Sequence, residues 1–236
     1  MLDEVKALTF DVFGTVVDWR GSLIREGEAL GRAKGLEVDW GAFADRWRGR
    51  YQPGMEEVRA GRRPFTTLDV LHRESLDQLI PEFGLDALDE AERAHLTRAW
   101  HRLDPWPDSV EGLTRLRRRF ILCTLSNGHV ALMVNLARHA GLPWDAVLGA
   151  EVAGGYKPQA RVYLTTARLL GLQPHQCMMT AAHPYDLEAA RALGFRTAYV
   201  HRPGEFGPGR EPERPAADAF DVSAESFTEL ARKLGA

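Results

Sequence analysis

Near its start the chain reads Val5-Lys6-Ala7-Leu8-Thr9-Phe10-Asp11-Val12-Phe13-Gly14-Thr15. An apolar, β-prone run that stops at a turn signal reads as a buried strand. Asp11 then stands at the strand's carboxyl end, where open α/β sheets place their ligands. Gly14 lets the chain turn sharply or lets another group approach the backbone. A carboxylate held there, partly out of water, is a candidate nucleophile or metal ligand.

Beyond Thr15 the chain changes character twice. From about Trp19 to Leu103 the apolar residues recur at helical spacing: Leu23 and Leu30; Phe43, Trp47 and Tyr51; Leu68, Leu71, Leu76, Leu79 and Ile80; Leu85, Leu88, Ala91, His95 and Leu96. Four amphipathic helices in succession are expected to pack as a small bundle, punctuated at Gln52-Pro53-Gly54 and Pro81-Glu82-Phe83-Gly84. Asp104-Pro105-Trp106-Pro107 is a stiff connector, and beyond it strands and helices alternate.

The strand candidates there are 120–126, 146–151, 177–182, 196–201 and 219–222. The helices run to Gly141, from Pro158 to Gly171, over 186–193 and from Phe227 onwards. Alternation of this kind implies right-handed βαβ units and a mainly parallel sheet. The expected architecture is a Rossmann-like α/β core (1–17 and 104–236) carrying an inserted α-helical cap (18–103). The stretch 202–217, rich in Pro, Gly and charge, reads as an irregular surface loop.

Bulk properties narrow the partners. The 236 residues are 44% hydrophobic and 27% charged with a formal net charge of -3, which suits a sizeable core and leaves no basic face for nucleic acid. The arginines between Arg46 and Arg63 are interleaved with acids and read as a solvated face. Cys123 and Cys177 lie in apolar runs, as packed small residues rather than a disulfide or metal pair. Neither a leader pattern nor an apolar run approaching 18 residues is seen, so a cytoplasmic protein without membrane contact is expected.

Asp11, Ser126-Asn127, Lys157 and Asp186 each fall at or just beyond the carboxyl end of a different strand candidate, so they converge on one sheet edge. Their order and spacing resemble the four motifs of the haloacid dehalogenase superfamily. Within it the chain is most similar to the type II L-2-haloacid dehalogenases. The matching features are Phe10 to Thr15, Leu125-Ser126-Asn127-Gly128, Tyr156-Lys157-Pro158 with Tyr163, and Asp186 ahead of Ala189-Ala190-Arg191 and Gly194-Phe195. The placement and size of the helical insert match as well.

The resemblance implies that Asp11 displaces halide from C2 of a 2-halocarboxylate, and that water then cleaves the resulting ester. It implies that Lys157 keeps Asp11 ionised and that Ser126 and Asn127 bind the substrate carboxylate, with amides of the helix after Gly128 assisting. Thr15 would donate to the nucleophile and Tyr163 would lie near the site. Arg48 would receive the halide, with Arg50 and Arg46 as alternatives, and Phe13, where the family has tyrosine, would wall the pocket.

Ala181-Ala182-His183-Pro184-Tyr185-Asp186 departs from the family's Ser-Ser-Asn-x-Trp-Asp. By the resemblance Tyr185 would take the tryptophan's place against substrate. Asp186 is expected to activate or position the hydrolytic water, joined by His183, whose ring titrates near neutral pH and suits a base. No cofactor and no metal are implied, and the family resemblance suggests a homodimer.

Rival readings stay open on the residues alone. A Mg²⁺-dependent phosphatase of the same superfamily would need an acid where Phe13 stands and a second carboxylate in the last motif. A metal-free hydrolase of another 2-substituted carboxylate would share the machinery. A non-catalytic binding module would have no use for a nucleophile.

Overall fold

The computed structural model describes residues 2–236. The chain runs β1 (Ala7–Phe10), β2 (Val17–Asp18), then five helices: α1 (Trp19–Lys34), α2 (Trp40–Gly49), α3 (Tyr51–Arg59), α4 (Leu68–Glu82) and α5 (Glu90–Thr97). It returns through β3 (Asp104–Pro105) and continues α6 (Ser109–Leu116), β4 (Ile121–Ser126), α7 (Val130–Ala140), β5 (Ala146–Gly149), α8 (Ala150–Ala153) and α9 (Ala160–Leu169). β6 (Cys177–Ala181), α10 (Pro184–Ala192), β7 (Arg196–Val200), β8 (Val222–Ala224) and α11 (Phe227–Lys233) complete it.

Six strands form one parallel sheet in the order β5-β4-β1-β6-β7-β8. All four residues of β1, three of them apolar, are buried, as befits a central parallel strand. Phe10 is level with Thr124 on β4 and with Thr180 on β6. Residues just past these positions therefore meet at one edge.

The helical insert leaves and rejoins the sheet at a two-stranded antiparallel ribbon, Val17 opposite Pro105 and Asp18 opposite Asp104. The expected stiff connector is thus one strand of that ribbon. Asp18 caps α1 by accepting from Gly21, and Gly35 ends the helix in the left-handed region. One buried cluster runs without a break from Leu8, Phe10 and Phe13 through Trp100 to Trp47, Phe43 and Leu76. Insert and sheet therefore share their apolar packing instead of burying separate cores.

Several expected boundaries move. The insert has five helices, not four, because the Phe43-Trp47-Tyr51 stripe breaks at Arg50, which closes α2 and opens α3. Pro53 lies in the first turn of α3, where a missing amide costs no helical bond, so Gln52-Pro53-Gly54 is helix and not a turn. Leu85 and Leu88 are buried in the turn before α5, while Ala91 and His95 face solvent.

In the second half, Glu151 belongs to α8, Pro158 lies in a turn ahead of α9, and the last strand is Val222–Ala224 instead of 219–222. The 202–217 stretch is irregular, but its first turn is not at the surface: Arg202 and Glu205 are buried.

Gly112 of α6 lies against α11 so closely that a Cβ there would stand 2.3 Å from Phe227 Cβ and 2.6 Å from its carbonyl carbon. Backbone atoms cannot swing aside, so Gly112→Ala should destabilise by about 1–3 kcal/mol through overpacking, despite alanine's better helix propensity. Urea unfolding of the variant against the parent checks this.

Candidate active site

The first βα turn sets the site. Asp11 follows β1 directly and its amide donates to Thr180 O. One carboxylate oxygen, Oδ1, accepts from Lys157 Nζ at 3.0 Å. The other, Oδ2, accepts from Thr15 Oγ1 at 2.8 Å and meets His183 Nδ1 at 2.9 Å. Thr15 Oγ1 itself accepts from Ala182 N at 2.9 Å, which locks the threonine's hydroxyl direction and so the nucleophile's rotamer.

Lys157 comes from the loop between α8 and α9. Its amide donates to Asn127 Oδ1 at 2.8 Å, and its ammonium bridges Asp11 and Asp186. The second oxygen of Asp186 accepts from Tyr163 Oη at 2.5 Å. Asp11, Lys157 and Asp186 are all at least nine-tenths buried. Burial alone would raise the Asp11 carboxyl, but the Lys157 charge and the bonds from His183 outweigh it and hold it well below the usual carboxylate range. Burial would lower Lys157, and the two carboxylates reverse that and push it well above the ordinary lysine value. Asp186 is raised, by burial and by the nearby Asp11 charge against the opposing pull of Lys157.

His183 sits in the turn between β6 and α10 and is gripped at both ring nitrogens. Beyond Asp11, its Nε2 lies 3.0 and 3.1 Å from the two oxygens of Glu205. Burial would lower the imidazole; the Glu205 charge and the bonds to Asp11 and Glu205 raise it to about 10. The expectation of a ring titrating near neutral pH is therefore corrected: with Asp11 ionised, His183 is an imidazolium that donates.

The expected water-activating Asp186 is likewise corrected. Both its oxygens are engaged, by Lys157 and Tyr163, and it does not line the cavity, so it holds Lys157 in place.

Above Asp11 lies a cavity of about 360 Å³, walled by Phe13, Arg48, Tyr51, Gln52, Glu56, Arg59, Asn127, Lys157, Pro158, His183 and Tyr185. Arg48 stacks its guanidinium over the Tyr51 ring at 4.0 Å and keeps a buried Nη1 with no partner. The alternatives Arg46 and Arg50 point away, to Glu82 and Gln78. Phe13 packs edge-on to Tyr51 and Trp100, and Tyr185 stacks on His183.

Two expectations for substrate contacts fail. Ser126 is fully buried and its Oγ accepts from Gly128 N at 3.1 Å, closing the turn instead of lining the cavity. The helix after it begins at Val130, whose amide is already satisfied by Glu151. Tyr163 reaches the site only through Asp186.

Glu205 is a site residue that the sequence pattern does not reveal, together with Tyr51, Gln52, Glu56 and Arg59. The only signal is position: Arg202 to Glu205 follows β7, whose carboxyl end is on the same edge. Arg202 ties that turn to the first one, donating to Thr15 O at 2.8 Å and pairing with Asp108. Gly14 has φ +82°, and a Cβ on it would stand 2.1 Å from Glu205 Oε1. The glycine is thus required both by its left-handed backbone and by the carboxylate packed against it.

With this geometry in place, comparison with known proteins defines the class. Residues 5–194 match the model of the haloacid dehalogenase-like hydrolases, and the chain belongs to that family. The (S)-2-haloacid dehalogenase of Pseudomonas sp. strain YL is 28% identical over 207 residues, covering 86% of this chain and 85% of that one. Among solved structures, the L-2-haloacid dehalogenase PA0810 superposes with a TM-score of 0.94 at 50% identity, covering 98% of this chain and 99% of its own. The defluorinating L-2-haloacid dehalogenase Rha0230 gives 0.94 at 46%, covering 98% and 96%.

The His183 shift sets a pH dependence of stability. A group whose folded pKa is raised stabilises fully below its unfolded value, about 6.5, and that stabilisation is lost as pH rises through the folded value near 10. Between these limits His183 holds one proton more in the folded chain than in the unfolded one, a contribution to the slope of about -1.4 kcal/mol per pH unit. Chemical denaturation from pH 6.5 to 10 should therefore show stability falling more steeply for the parent than for His183→Gln; parallel curves would contradict the assignment.

Proposed function

We propose that the chain is a hydrolytic 2-haloacid dehalogenase that converts short 2-halocarboxylates to 2-hydroxy acids through an ester on Asp11. The observation that carries this reading is the state of Asp11: an ionised carboxylate, fixed by Lys157, Thr15 and His183, beneath a small cavity with an unpaired arginine. The named relatives and structural neighbours support the same chemistry.

Each residue then has a role. Asp11 attacks C2, the carbon–halogen bond breaks, and halide leaves toward Arg48, whose free Nη1 is a donor without another acceptor. Asn127, with Lys157 behind it, faces the substrate carboxylate; Phe13, Tyr51 and Tyr185 form the apolar wall around the carbon chain. Donors fixed in advance offer the nucleophile little reorganisation on attack. Water next adds to the Asp11 carboxyl carbon, and the bond to the alkyl oxygen breaks to release the 2-hydroxy acid. Lys157, Thr15 and Asp186 position the carboxyl group throughout.

The donor set does not fit a divalent ion. Both Asp11 oxygens already accept from cationic or hydroxyl donors, and the His183 imidazolium against Oδ2 sets positive charge where a divalent ion would have to bind. Phe13 also offers no proton to a leaving alkoxide. These points weigh against a Mg²⁺-dependent phosphatase.

We take residues 18–103 as a cap subdomain over the core formed by 1–17 and 104–236, and the functional unit as a homodimer. Among the described residues no helix is long and apolar enough to cross a membrane, and Cys123 and Cys177 are buried and unpaired. A reducing, cytoplasmic setting suits them.

Halide release from fluoro-, chloro- and bromoacetate and from both 2-chloropropionate enantiomers, measured in excess EDTA, tests the reading. Turnover on at least one of these acids, unaffected by the chelator, is the expected result. Activity restricted to phosphate esters and restored by Mg²⁺ would overturn it.

A further inference from the structure

His183 changes surroundings during the reaction just proposed, and Glu205 does not. In the free site the imidazolium lies between two negative groups, Asp11 Oδ2 at 2.9 Å and Glu205 at 3.0 and 3.1 Å. Tyr185 stacks on one face of the ring. Lys157 and Asp186 lie behind Asp11, and Arg48, Glu56 and Arg59 stand across the cavity. Once Asp11 is esterified its charge is gone, so one of the two interactions that keep the ring protonated disappears. Glu205 remains, 1% exposed, with Oε1 also accepting from Trp19 Nε1 at 3.3 Å.

Resting on the dehalogenase reading, we propose that Glu205 is a positioning residue that aims His183 Nδ1 at the ester of Asp11, and that the His183–Glu205 pair accepts the proton of the hydrolytic water. The placement is built by the chain itself: Gly14 is the residue that leaves room for Glu205, and Arg202 fastens the same turn to Thr15 and Asp108. Asp186 is not free for the task, because Lys157 and Tyr163 occupy its two oxygens.

The proton count closes. Ester formation expels halide, and His183, no longer facing the Asp11 charge, gives its Nδ1 proton to solvent. Water adds to the ester carbon as its first proton passes to Nδ1. The second, on the new hydroxyl of the tetrahedral centre, goes to the departing alkyl oxygen as that bond breaks. Asp11 returns as a carboxylate beside an imidazolium, and the net products are a 2-hydroxy acid, halide and one proton. Glu205 takes no part in these transfers and fixes the ring's tautomer by accepting from Nε2–H, as a buried carboxylate does for a catalytic imidazole.

Glu205→Gln keeps the shape and removes the charge. With 2-chloropropionate it should release about one equivalent of chloride in a burst and then turn over slowly, kcat falling on the order of 10²-fold, the scale of a general base. Intact-mass analysis should find the ester on Asp11, Glu205→Asp should recover part of the rate, and the acid limb of kcat should move to lower pH. A purely structural role would not produce this pattern.

In the parent, which needs no variant to fold, an indicator dye in a single turnover should report one proton released with the halide, before product appears. Ester hydrolysis at the parental rate in Glu205→Gln, loss of the chloride burst together with turnover, or no early proton would each overturn the assignment. If the parent releases no halide from any 2-halo acid, the dehalogenase reading itself fails, a result distinct from these three.

Discussion

The Lys157 ammonium, bridging Asp11 and Asp186 out of water, is the interaction around which the other charges are arranged. Burying an unpaired ion costs several kcal/mol, and pairing recovers this only with good geometry and further hydrogen bonds. The surroundings supply both. Tyr163 satisfies Asp186, Thr15 satisfies Asp11, and His183 adds a second cation whose own far side is balanced by Glu205. Three carboxylates and two cations thus alternate in a chain, Asp186–Lys157–Asp11–His183–Glu205. Removing either cation leaves buried carboxylates without their partner, so nucleophile, orientation and proton handling are tied into one network.

The sheet makes that chain available at no local cost. β1, β4, β5, β6 and β7 are parallel and nearly level at their carboxyl ends, so the loops after them deliver Asp11, Asn127, Lys157, His183 and Glu205 to one edge. The helical insert leaves from the first of these loops and returns beside it through the β2–β3 ribbon. Its packing is continuous with the sheet's, and α2 and α3 thereby place Arg48, Tyr51 and Arg59 over the nucleophile. Arg59 donates to Lys157 O at 2.9 Å and Gln159 returns a bond to Arg59 O, so the roof is fastened to the catalytic loop.

Most of this architecture is legible from periodicity and turn residues. The buried apolar run before Asp11, the glycine-closed helices and the alternation after Pro105 correspond to real elements, with ends shifted by a few residues. Asp11, Lys157 and Asp186 are legible because they follow strands. Two things are not. Ser126 and Asn127 are adjacent, and only the backbone course shows that one closes a turn while the other faces the cavity. Glu205 stands in a Pro- and Gly-rich stretch whose composition is that of a surface loop. Its burial depends on Gly14, 191 positions earlier by the numbering, and on Arg202's anchor, which are tertiary facts. For the same reason His183 reads from sequence as a free imidazole: its second carboxylate is invisible there, and with it the shift that keeps the ring charged.

Covalent displacement by Asp11 differs from direct attack of water on the halogenated carbon in where the product's oxygen originates. A single turnover in H₂¹⁸O with enzyme in excess over 2-chloropropionate separates the two. Covalent displacement predicts a product hydroxyl carrying ordinary oxygen from the protein, with the heavy isotope recovered in the Asp11 peptide. Heavy oxygen in the product hydroxyl and none in Asp11 would contradict it.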